Sequence, residues 1–170
     1  LKDSSIDISN WQPSESENYD TYNKTIVDYN GHEEEWAKWW GNQWIRAGLP
    51  GYTPGGSNDI NMNLSGLPDI KTESTKPVDI PPILQRKWEK DSSENNERWI
   101  VPSAIKYRTN LNVDPSTYVI KWLSAWVEEF GIDGFRADTA KHIDIFRWQQ
   151  LKDESNKALK TWRENNPDSP

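Results

Sequence analysis

The run from Asp114 to Asn165 constrains this chain most. In it a helical period, a glycine, a two-residue alternation and a second helical period follow one another. Asp114 is a natural N-cap and Pro115 suits the first helical position. Tyr118, Val119, Trp122, Leu123, Trp126, Val127 and Phe130 then make one apolar face at 3.6 spacing, and Gly131 stands where such a helix stops. Ile132–Asp138 alternates in the manner of a short strand. Residues 144–165 read as a second amphipathic helix, with Trp148, Leu151, Ala158, Leu159 and Trp162 on one side and Pro167 beyond its end. Helix, glycine, strand, loop, helix is the repeat unit of an α/β protein with a parallel sheet.

The preceding part is less regular. Residues 1–30 are polar and lack a period. His32–Gly48 reads as a Trp-rich helix near 32–47: three Glu in its first turn suit the dipole, and Trp36, Trp39, Trp40 and Trp44 form a stripe. Gly41 is the weak point of that pattern. From Leu49 to about Thr109 the chain is rich in Gly, Pro and Asn, with Trp88 and Trp99 as its main apolar anchors. Irregular stretches of this length are uncommon in compact domains and are often functional. Two parts follow: an irregular 1–110 and a helix–strand–helix 111–170.

Lys plus Arg number 20 and Asp plus Glu 27, a net charge of −7, which gives no general attraction to nucleic acid or to an anionic membrane. No apolar run is long enough to span a bilayer. The first residues have neither the basic start nor the apolar core of a signal peptide. There is no Cys, which excludes thiolate metal sites. Eleven Trp invite a sugar-binding reading, but aromatics at helical spacing usually pack the core.

Within the expected strand, Arg136 and Asp138 share one face, and Phe135 and Ala137 share the other. The two charged residues sit at the C-terminal end, where parallel sheets place active sites. A carboxylate beside an Arg stays ionised and is able to attack carbon or to stabilise a cation. A plain buried ion pair fits the spacing equally well. Taken singly, Lys141 reads as a solvated charge and His142 as a structural His.

The stretch GFRADTAKH, Gly134 to His142, resembles the strand-four signature of the α-amylase family, and LPDIKTES, from Leu67, resembles the segment of that family that closes the excursion between barrel strands three and four. The resemblance implies a fragment of a (β/α)8 TIM barrel (helix 3, strand 4 and helix 4), with 1–110 as the irregular excursion domain. It implies Asp138 as catalytic nucleophile and Arg136 as the residue that orients it. Lys141 and His142 would contact sugar, while the Asp69 carboxylate and the His142 carbonyl would be ligands of a structural Ca²⁺. The implied substrate is an α-glucan or maltooligosaccharide, and the implied location periplasmic or secreted.

The family's general acid, a Glu on the next strand, has no counterpart before Pro170, and the early Asp-to-Asn-His signature is also unmatched. The chain alone is therefore expected to be nearly inactive, and a strand with two open edges is expected to self-associate or distort. The rival expectation is a non-catalytic carbohydrate-binding or interaction module that keeps the signature as scaffold.

Overall fold

The computed structural model describes residues 40–41, 43–46, 58–61, 69–93 and 101–169. They form two short strands, β1 (Ile45–Arg46) and β2 (Asp69–Ile70), and three helices, α1 (Pro82–Ser93), α2 (Pro115–Phe130) and α3 (Ile145–Asn165). Short 3-10 helices occupy Pro102–Tyr107 and Ala140–His142.

The caps of α2 are the ones its sequence predicts. The Asp114 side chain accepts from the Thr117 N–H at 2.9 Å, and Pro115 opens the helix. Gly131 closes it in the left-handed region at φ 64°, its N–H donating to the Val127 carbonyl. Asp144 caps α3 by accepting from the Phe146 N–H at 3.0 Å.

The two helices pack side by side and run in the same direction. At one end Arg147 of α3 reaches the Asp114 cap of α2; at the other, Gly131 abuts Trp162. A Cβ on Gly131 would lie 2.5 Å from the Trp162 ring. Gly131→Ala therefore combines left-handed strain with a ring clash, and we expect it to cost about 2–4 kcal/mol in urea unfolding. A loss below about 0.5 kcal/mol would mean that the α2–α3 contact is not tight there.

Parallel neighbours require the chain to travel back along α2 before α3 begins. Sixteen helical residues rise ~24 Å, and seven extended residues cover ~23 Å, so Ile132–Asp138 has the length of a return strand. It nevertheless forms no strand. The expectation of a regular strand is corrected here, and the reason is physical: a strand is defined by its ladder, and no partner lies beside this segment among the described residues. Residues 133–141 are exposed.

The Trp-rich helix expected near 32–47 is corrected over its second half; Trp36 and Trp39 lie outside the described residues. Trp40 is helical, Gly41 turns the chain at φ 79°, and Ile45–Arg46 is strand. β1 and β2 are antiparallel, with Ile45 opposite Ile70 and Arg46 opposite Asp69.

The main core is Trp44, Ile45, Val78, Ile80 and Tyr118. The Trp44 ring stacks on Trp122 (6.0 Å, 3°) and tilts against Tyr118 (5.4 Å), while Trp88 meets Trp122 edge-on. These aromatics pack the interior. The cluster joins residues from both sides of position 110, and Val78 bridges to Val113.

Candidate functional site

One end of the α2–α3 pair gathers polar groups. Arg46, 4% exposed, donates to Asp69 Oδ2 at 2.8 Å and is also paired with Glu73. A cross-strand Arg–carboxylate pair stabilises the two-residue ribbon. Arg147, 5% exposed, donates to the Thr72 carbonyl at 3.1 Å, the Ser74 carbonyl at 2.7 Å and Gln150 Oε1 at 2.9 Å. It also pairs with both Asp114 oxygens. The turn that follows β2 is thereby tied to the start of both helices.

Beyond α2 the chain turns at Thr139 (φ 50°) into the 140–142 turn. That turn meets the 58–61 loop: Lys141 Nζ lies 3.3 Å from Asp59 Oδ1, and His142 Nδ1 bonds the Asp59 carbonyl. A cavity of about 280 Å³ between α2 and α3 is walled by Val119, Leu123, Trp148 and Leu151 and is also lined by Asp69 and His142.

Of the five residues singled out in the sequence, Asp69 and His142 are brought to one cavity although 73 positions separate them (142 − 69). Lys141 is exposed and pairs with Asp59. Arg136 and Asp138 are exposed, and no ion pair joins them among the described residues. The expected buried Arg136–Asp138 pair is thus corrected: without flanking strands nothing desolvates the two charges or holds them together. Asp138 Oδ1 accepts instead from the Thr139 N–H at 2.8 Å.

Burial pushes the Asp69 carboxyl up from its ordinary 3.8, against the opposing hydrogen bond and charge of Arg46. Glu73 raises it further, and His142 lowers it. A raised carboxyl binds its proton more tightly in the folded state, so its contribution to stability falls as pH rises from 3.8 through the raised value. Wild type should therefore gain stability relative to Asp69→Asn as pH drops through that window, read by urea melts at stepped pH. A constant or opposite difference would show that the Arg46 bond outweighs burial.

Calcium takes six to eight oxygen ligands. Among the described residues no three acidic or His side chains converge on a metal position, and Asp69 already carries Arg46 on Oδ2.

No protein-family model matches the chain. Over 162 residues, 94% of its length, it is 39% identical to the periplasmic alpha-amylase of Escherichia coli (strain K12). The resemblance is to the α-amylases. It spans 21% of the length of that relative. A stretch of 25 residues is 64% identical to an alpha-amylase of Streptomyces lividans, covering 3% of that protein. At 94% coverage the α-amylase likeness takes in most of residues 1–110 as well as the helical unit.

The residues that build this end, Arg46, Asp59 and Arg147, were not singled out from sequence. Arg147 left a trace: it lies four residues before Leu151 and eleven before Ala158, on the stripe that faces the interior. A cation in an apolar stripe calls for buried partners.

Proposed function

We propose that this chain belongs to an α-amylase-like glycoside hydrolase acting on internal α-1,4 bonds of starch or maltodextrins, and that it supplies the nucleophile. The supporting observation is the coincidence of GFRADTAKH with the 39% identity to an α-amylase over nearly the whole chain. In this reading an oxygen of Asp138 attacks the anomeric carbon as the glycosidic C–O bond breaks. A second carboxylic acid, about 5–5.5 Å away and contributed by other residues, protonates the departing oxygen, and water then frees the sugar with retained configuration. Arg136 keeps Asp138 ionised once neighbouring strands bury the pair. Lys141 and His142 bind sugar hydroxyls. The parent architecture in this reading is a (β/α)8 barrel in which Ile132–Asp138 gains its ladder. Asp69 and the His142 carbonyl would give two of the oxygens for a structural Ca²⁺, the rest coming from elsewhere. A periplasmic or secreted location follows the named relative; among the described residues no helix is long and apolar enough to cross a membrane.

The deciding experiment uses the protein encoded by the whole reading frame and maltoheptaose as substrate. Asp138→Asn should lower kcat by at least about 10⁴-fold, ~5.5 kcal/mol, with an unchanged melting curve. Retained turnover removes Asp138 as nucleophile. The buried Trp44, with Trp122 and Trp88 packed on its cluster, weighs against the binding-module reading, whereas Trp126, 47% exposed, leaves a ring available to it. Calorimetric heat from maltoheptaose binding to the chain alone would revive it.

A further inference from the structure

Asp59 reaches two consecutive residues of the 140–142 turn. Lys141 Nζ donates to Asp59 Oδ1 at 3.3 Å, and His142 Nδ1 bonds the backbone carbonyl of the same Asp59, across 82 and 83 positions. We propose that Asp59 is a positioning residue for substrate: it sets the Lys141 ammonium and the His142 ring in the places from which they bind sugar hydroxyls, a role that rests on the glycoside hydrolase reading and adds a residue to it.

Both sides of this contact are braced. In the 58–61 loop the Asn58 side chain accepts from the Ile60 and Asn61 N–H groups at 3.0 and 3.1 Å, and the Asn61 side chain accepts from the Asn58 N–H at 3.2 Å. Such local side-chain bonds hold a turn in shape. Asn58 and Asn61 close the loop, and Asp59 between them directs both its carbonyl and its carboxylate to the 140–142 turn. That turn is fixed from its own side. The His142 N–H donates to the Thr139 carbonyl at 2.9 Å, and Trp148 Nε1 of α3 donates to the Ala140 carbonyl at 3.2 Å.

The two bonds have different consequences. Lys141 carries three donors on a flexible stem. A carboxylate on one of them restricts the stem and leaves the others for hydroxyls, so less ordering remains to be done when sugar binds. A carbonyl only accepts, so His142 Nδ1 carries the proton and the neutral ring presents Nε2 as an acceptor. Adjacent residues then offer a hydroxyl-rich ligand a cationic donor and a neutral acceptor, and His142 lines the α2–α3 cavity. An adventitious surface ion pair would account for the carboxylate contact alone; the second bond, from the same residue to the next side chain, makes a clamp.

The test uses the protein encoded by the whole reading frame, with melting curves to confirm that each variant folds. Asp59→Ala should raise KM for maltoheptaose by about two- to fivefold, the span of an exposed ion pair, with a smaller change in kcat. Asp59→Glu, which keeps the charge, should recover part of the loss. Once Lys141 is alanine, Asp59→Ala should add nothing. Ring ¹⁵N shifts, assigned by the signals lost in His142→Gln, should place the His142 proton on Nδ1 in mildly alkaline buffer, whereas free histidine favours Nε2. An Asp59→Ala enzyme kinetically equal to an active wild type, effects that add to those of Lys141→Ala, or a proton on Nε2 overturns the positioning role alone. A wild type without turnover of maltoheptaose overturns the hydrolase reading and the sugar-binding role with it.

Discussion

Replacing Arg147 with alanine is expected to destabilise the protein by about 3–5 kcal/mol. The guanidinium is 5% exposed and donates to two backbone carbonyls, Thr72 and Ser74, while pairing with Asp114 and Gln150. Truncation leaves the Asp114 carboxylate, 15% exposed at its side chain, with its helix-capping bonds but without a counter-charge. It also removes donors from the Thr72 and Ser74 carbonyls, though Ser116 Oγ still reaches Thr72 at 2.8 Å. Each buried acceptor left bare costs ~1–3 kcal/mol. Arg147→Lys keeps the charge but not the fork, so it should recover only part of the loss. Urea unfolding followed by Trp fluorescence measures both. A loss under 1 kcal/mol for Arg147→Ala would mean that solvent already shares those partners.

Trp44→Ala should be comparably damaging, about 3–5 kcal/mol. Its ring, 2% exposed, stacks on Trp122, meets Tyr118 and Trp40, and donates through Nε1 to the Asp79 carbonyl at 2.6 Å. Removing it opens a void beside Tyr118, which is fully buried and whose hydroxyl accepts the Leu111 N–H at 2.6 Å. Trp44→Phe retains a stacking ring but loses the bond to Asp79, and should fall between the two. If alanine at 44 shifts the urea midpoint no more than phenylalanine does, the stack contributes little.

What sequence could and could not disclose divides along physical lines. α2 and α3 were legible because caps, stripe and stop residue agree locally; nothing distant is needed to specify them. The end of the Trp stripe at Gly41 was not, because the turn there and the strand that follows are decided by Arg46 meeting Asp69 across the ribbon. α1 escaped because a helix with only Leu84 and Trp88 as an i,i+4 anchor on a polar run has too thin a stripe to stand out. Within the site, Asp69 and His142 were marked by the family motifs and do share a cavity. The alternation puts Asp138 and Arg136 on one face of a strand, and a face exists only when neighbours define it. The 58–61 loop was invisible as a partner for Lys141 and His142 because loop docking leaves no period.

Arg147 bonds to a carbonyl 75 positions earlier and to a helix cap 33 positions earlier. A chain made from its N-terminus onward therefore cannot settle the ribbon around Asp69 until translation has passed α3's first turn. Until then the Thr72 and Ser74 carbonyls lack their Arg147 donors, whereas the Trp44 cluster, whose members all lie at or before Trp122, has everything it needs to form during synthesis.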